Sequence, residues 1–88
     1  MIERKVKIIN KFGLHARPAA LLVKTAAQFV SDISLLKDGL QVNGKSIMGV
    51  MMLAAEYGSE MTIRASGPDK EAAVEALEAL IRSKFDEE

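Results

Sequence analysis

The sequence predicts an α+β fold in which one four-stranded, mainly antiparallel sheet carries helices on one face. Three observations predict it. Four short runs alternate apolar and polar residues, as half-buried strands do. Three other runs place apolar residues at helical spacing. Turn residues separate the runs in the order βαββαβα, and packing every helix onto one face of one sheet buries all the apolar stripes at once.

The first strand is marked by Ile2, Val6 and Ile8 alternating with charged residues. Asn10 to Gly13 then forms a turn. From Ala16 the apolar residues Ala19, Leu22, Val23, Ala26 and Val30 recur at helical spacing. Pro18 lies in the first turn, where its missing N–H costs little, and the helix is expected to end near Gln28. Ile33, Leu35 and Leu36 mark the second strand. Asp38-Gly39 is a hairpin signal, because both central residues of a type I′ turn need positive φ. Leu40 and Val42 form a third strand, broken by Asn43-Gly44. Ser46 suits the N-cap of a short helix running to about Ala55, with Gly58 as its stop. Met61, Ile63 and Ala65 give the fourth strand. Gly67-Pro68-Asp69 opens a last helix buried through Ala73, Leu77, Leu80 and Ile81, with Asp69 and Glu71 matching its N-terminal dipole.

Bulk composition narrows the function classes. Eighty-eight residues are expected to make a single domain, 1–88, with one modest core. Twelve basic residues balance twelve acidic ones, and four aromatics are scattered, so neither an electrostatic footprint nor a stacking platform for nucleic acid is present. The absence of cysteine removes disulfide and thiolate chemistry. No apolar run approaches the ~20 residues of a membrane span or has the pattern of a secretory signal. The expectation is a soluble cytoplasmic protein, a monomer, without a membrane or nucleic-acid partner.

The chemistry-bearing segment is Gly13-Leu14-His15-Ala16-Arg17-Pro18-Ala19-Ala20, which holds the only histidine. It lies where a turn gives way to a helix, and a helix N-terminus offers unpaired N–H groups and the positive end of the helix dipole to an anion. An imidazole there could accept a phosphoryl group, with the backbone N–H of Ala16 and the planar fork of Arg17 stabilising the adduct. The plainer alternative is a histidine that is only an N-cap or a solvated turn residue. One histidine without cysteine supplies no metal site, and no cofactor is implied. No partner pair for a serine-type triad is apparent.

Gly13-Leu14-His15-Ala16-Arg17-Pro18-Ala19 resembles the active-site segment of HPr, the histidine phosphocarrier family of the bacterial phosphoenolpyruvate-dependent sugar phosphotransferase system. Lys45-Ser46-Ile47-Met48-Gly49-Val50-Met51 is similar to that family's regulatory serine segment, and Ala65-Ser66-Gly67-Pro68-Asp69 to the approach to its last helix. The resemblance covers nearly the whole chain. It implies an open-faced β-sandwich of βαββαβα order. It implies a carrier, consumed and regenerated, and not an enzyme: His15 would take phosphate on Nδ1 from enzyme I, assisted by Arg17, and pass it to IIA components. It implies Ser46 as the target of an HPr kinase/phosphorylase, with a carbon-catabolite transcription regulator among the partners. The ending Ser83-Lys84-Phe85-Asp86-Glu87-Glu88 leans instead toward the nitrogen-branch carrier of the same family, which regulates and does not transport sugar. Both branches stay open.

Two further readings concern the middle of the chain. Gly39-Leu40-Gln41-Val42-Asn43-Gly44-Lys45-Ser46 fits the Walker A pattern, but Leu40-Gln41-Val42 alternates as a strand and Asp38-Gly39 is its hairpin, so the pattern is rejected as a nucleotide site. The short second helix carries more apolar residues than one stripe can bury. Val50, Leu53 and Ala54 are expected to face inward, and Ile47, Met48 and Met51 to meet partners, since methionine adapts to several surfaces. Alternatively the helix is simply well buried. Ala20 and Lys24 would extend the patch, and Lys24, Lys45 and Arg17 would ring it with positive charge. The acidic end Asp86-Glu87-Glu88 is expected to be solvated.

Overall fold

A computed structural model describes residues 1–86. Its elements follow the expected order: β1 (Ile2–Lys7), α1 (Ala16–Ala26), β2 (Asp32–Lys37), β3 (Leu40–Asn43), α2 (Ile47–Met52), β4 (Glu60–Ser66) and α3 (Lys70–Arg82), closed by a turn at Lys84–Asp86. The strands form one antiparallel sheet in the order β1-β4-β2-β3.

Alternation sets the two faces. Val6, Ile33, Leu35, Met61, Ile63 and Ala65 turn toward the helices and are buried. The opposite face is polar: Glu3 lies directly across from Arg64, and their side chains pair at 2.6 Å. Such a cross-strand pair also fixes register, because a one-residue slip would put Glu3 into the core. The β2–β3 hairpin turns on Asp38 and Gly39, with φ of 51° and 83°, as the type I′ signal requires. The Walker-like segment is therefore a hairpin turn and a strand, not a phosphate-wrapping loop.

Helix α1 buries Pro18, Ala19, Leu22 and Ala26. Helix α3 buries Ala73, Val74, Leu77 and Ile81. Leu80 is only half-buried and Val74 takes the inward place the sequence reading assigned to it. Arg4 reaches from β1 to Glu78 of α3 at 2.5 Å, and Glu78 also receives Arg82 at 3.1 Å, so the helix is fastened to the sheet at its polar margin.

Several expectations need correction. Helix α1 ends at Ala26, and Val30 lies outside it and is 73% exposed, because the chain has already turned toward β2. Helix α2 ends at Met52 and not at Ala55. Ala54 then adopts φ of 51°, which swings the chain away and leaves Ala54 exposed and Ala55 buried. Gly58 is therefore not the helix stop. At φ of 86° it lets its N–H reach the Ile8 carbonyl at 2.7 Å, just before β4 begins. Of the acidic end, Asp86 is exposed and Glu87 and Glu88 lie outside the described residues. The turn at Lys84–Asp86 has no counterpart among the elements the sequence predicts. It holds three successive residues at positive φ and drives Phe85 into the core, where it is 1% exposed.

Candidate functional site

The site is built on the turn from Asn10 to Gly13. Asn10 is fully buried, and its Nδ2 donates to the Gly13 carbonyl at 2.7 Å while the Gly13 N–H donates to the Asn10 carbonyl at 3.2 Å. Two opposed hydrogen bonds thus close the turn. Gly13 has φ of 68° and lies directly against the backbone of Ala55 and Glu56, where a Cβ would come within 2.7 Å of the Glu56 Cα. Leu14 follows, buried, with its N–H on the Ala55 carbonyl at 2.8 Å. Leu14 and Ala19 are both core residues, the N′ and N4 pairing of a hydrophobic staple.

His15 is the N-cap of α1, with extended backbone (φ −76°, ψ −174°), and its side chain is exposed. Its carbonyl accepts the first helical hydrogen bond, from the Ala19 N–H at 3.0 Å. The helix offers no internal acceptor to the N–H groups of Ala16 and Arg17, while Pro18 has none to offer. Two amides therefore stand at the helix end that His15 caps, and Arg17, exposed, lies in its first turn. Such an end favours negative charge.

Arg17, Ala20 and Leu21 also line a depression of about 510 Å³ with Phe85 and Asp86. The final turn thus brings Phe85 and Asp86 to the Arg17 face of α1, which the sequence does not signal. Ala20 and Lys24 continue the Arg17 face of α1 at helical spacing, and both are exposed. Lys45 turns its Nζ to the Phe29 carbonyl, 2.7 Å away, just past the end of α1.

Ser46 is the N-cap of α2, and its Oγ accepts from the Gly49 N–H at 3.0 Å. Behind it Val50 and Leu53 are buried. Ile47, Met48 and Met51 are exposed, at 46%, 77% and 44%, and so is Met52, which the sequence reading had not placed there. Six residues make too short a helix to hide a second stripe, so the outward side chains form a methionine-rich surface next to α1.

Phe12 also stands at the site, although nothing in the composition or periodicity singles it out. It is 70% exposed, and its ring stands edge-on to the His15 imidazole with centroids 6.2 Å apart and planes at 84°. The Lys11 ammonium lies 5.4 Å from the phenyl centroid. Its place in the turn, three residues before the only histidine, was the available signal. Asp69, expected to match the α3 dipole, is the N-cap of that helix, but its side chain makes no capping bond to it. Instead its carboxylate accepts from the Val30 and Ser31 N–H groups at 3.0 and 2.9 Å and from Ser31 Oγ at 2.5 Å. The Ser31 hydroxyl and these amides hold the Asp69 carboxyl below its ordinary value, against a smaller opposing effect of burial. Among the described residues no group of three or more His, Cys, Asp or Glu is placed to hold a metal ion, and no helix is long and apolar enough to cross a membrane.

Comparison with known proteins agrees with this geometry. Residues 2–83 match the family model of the PTS HPr component phosphorylation site. The chain is 50% identical to the phosphocarrier protein HPr of Treponema pallidum over 88 residues, all of both chains. It is 49% identical to the HPr-like protein Crh of Bacillus subtilis over 84 residues, 96% of this chain and 99% of the relative. The crystal structure of HPr from Thermoanaerobacter tengcongensis superposes with a TM-score of 0.97 at 52% identity, covering 100% of this chain and 99% of that one, and an HPr dimer from the same organism superposes at 0.78. The chain belongs to the HPr family, the phosphocarrier component of the phosphotransferase system.

Proposed function

We propose that this member of the HPr family relays phosphate through His15, in the cytoplasm, as a single-domain monomer. In this reading enzyme I supplies a phosphoryl group derived from phosphoenolpyruvate. The Nδ1 lone pair of His15 forms the N–P bond as the bond from phosphorus to the donor breaks. A IIA domain of the sugar phosphotransferase system then takes the group and restores the imidazole. The observation that carries this is the exposed imidazole at the N-cap of α1, with the Ala16 and Arg17 amides at the same helix end and Arg17 itself exposed in the first turn. A dianion is favoured there by dipole and by charge-assisted hydrogen bonds. Each transfer returns the carrier changed, so it is a stoichiometric reactant and not a turnover catalyst.

The outward residues Ile47, Met48 and Met51, with Ala20 and Lys24 of α1, are the surface we assign to docking of donor and acceptor. Ser46 is the candidate regulatory site for an HPr kinase/phosphorylase. A phosphoserine carries about −1.5 to −2 charges and is tolerated at a helix N-terminus, so modification would place charge beside the docking surface without unfolding α2. The segment Lys45–Met51 favours the sugar branch and a catabolite regulator as a further partner. A nitrogen-branch role, toward which the C-terminal segment leans, would show as transfer only to IIA domains of that branch.

Purified protein mixed with enzyme I and phosphoenolpyruvate tests the reading. The expected result is an acid-labile mass gain of one phosphate that disappears in His15→Ala. No gain in the unaltered protein overturns it. Sedimentation of the same sample decides between a monomer and a dimer of the kind solved for the Thermoanaerobacter relative.

A further inference from the structure

We propose that Phe12 is a positioning residue for the His15 imidazole; the proposal rests on the carrier reading above. The His15 backbone is fixed, but its exposed ring has two side-chain torsions to settle. In-line transfer needs the attacking nitrogen about 3–3.5 Å from phosphorus and aligned with the breaking bond, so freely rotating rings waste most encounters. The edge-on phenyl of Phe12, centroids 6.2 Å and planes 84° apart, restricts that rotation from one side.

The contact is built, not incidental. Phe12 projects from a turn closed by both Asn10–Gly13 hydrogen bonds and pressed at Gly13 against the backbone of Ala55 and Glu56. The phenyl therefore has a fixed root three residues from the ring it meets. Lys11 approaches the same phenyl at 5.4 Å, an attraction between cation and ring that keeps the side chain from swinging away. A 70% exposed phenyl contributes little to the core, so its presence at this point is explained by what it touches. An edge-to-face pair of this kind biases a two-conformer equilibrium by roughly two- to tenfold.

The test compares the unaltered protein with Phe12→Leu, which keeps apolar bulk without a ring, and Phe12→Tyr, which restores the ring. Because the site is an exposed turn position, both variants keep the fold. The His15 χ1 couplings, read by NMR on unphosphorylated protein, should move toward rotamer-averaged values in Phe12→Leu and stay unchanged in Phe12→Tyr. With enzyme I and phosphoenolpyruvate, kcat for Phe12→Leu should fall roughly two- to tenfold at unchanged KM, and Phe12→Tyr should restore it. Unchanged couplings in Phe12→Leu overturn the proposal. So does a raised KM at constant kcat, which would make Phe12 a docking contact. If the unaltered protein accepts no phosphate, the carrier reading fails, while the couplings still decide whether Phe12 orders the imidazole.

Discussion

Gly13→Ala should be among the costliest single-methyl changes in this protein. The residue has φ of 68°, where a side chain costs about 1–2 kcal/mol. The new Cβ would also run into the Ala55 carbonyl and lie 2.7 Å from the Glu56 Cα, and both obstacles are backbone. Relief requires the 13–14 and 55–56 segments to part, which stretches the 2.8 Å bond from the Leu14 N–H to the Ala55 carbonyl. Weakening a buried hydrogen bond costs about 1–3 kcal/mol, so the sum with the conformational term is about 2–5 kcal/mol. Domains of this length are stable by about 4–13 kcal/mol, so the loss is large but survivable. Gly39→Ala is the matched control. Gly39 has φ of 83° with nothing within 4 Å of the added methyl, so it pays the conformational term alone. Urea unfolding of the three proteins reads the difference as a shift in midpoint at constant slope. The reasoning fails if the two alanine variants lose the same stability within about 0.5 kcal/mol, since the close approach at Gly13 would then cost nothing.

Asp69→Asn should destabilise the protein at neutral pH and make no difference in strong acid. The folded carboxyl titrates below the unfolded value of 3.8, so its contribution is present above that value and is lost as pH falls through the folded one; thermal melts of both proteins between pH 7 and 2 should converge. Ser46→Ala removes the acceptor for the Gly49 N–H and should cost about 1 kcal/mol, read by urea unfolding. Ser46→Asp keeps an acceptor and should preserve stability while weakening enzyme I binding about a hundredfold or more, the cost of a like-charge contact of several kcal/mol. Phe85→Ala empties a site that is 1% exposed and should cost about 3–5 kcal/mol in the same assay.

What could be read from the sequence was what neighbours in the chain decide. The Asp38-Gly39 hairpin, the Ser46 cap and the His15 helix start each depend on a few adjacent residues, and the alternation of β4 shows its buried face directly. The end of α2 was hidden because Ala54, an ordinary helix former, takes the left-handed conformation only under tertiary constraint, while Gly58 offered a false stop. Val30 continues the helical period of α1 in the sequence, but the chain turns before reaching it. Lys45 and Asp69 were assigned by their nearest helix, whereas their partners, Phe29, Val30 and Ser31, lie 16 to 39 positions away. Phe85 gave no periodic signal, since the turn that buries it follows the last helix. Phe12 stood beside the site in the sequence, but only coordinates show its ring meeting the imidazole.

The cap position of His15 has a consequence for repeated use. Its carbonyl starts the hydrogen-bond ladder of α1, while its side chain stands outside the helical cylinder. In the carrier reading proposed above, loading and unloading the ring would need no turn of the helix to melt or rewind. A scaffold left unaltered by such a handover would keep no memory of its cargo, and the direction of travel would be set by the partners it meets.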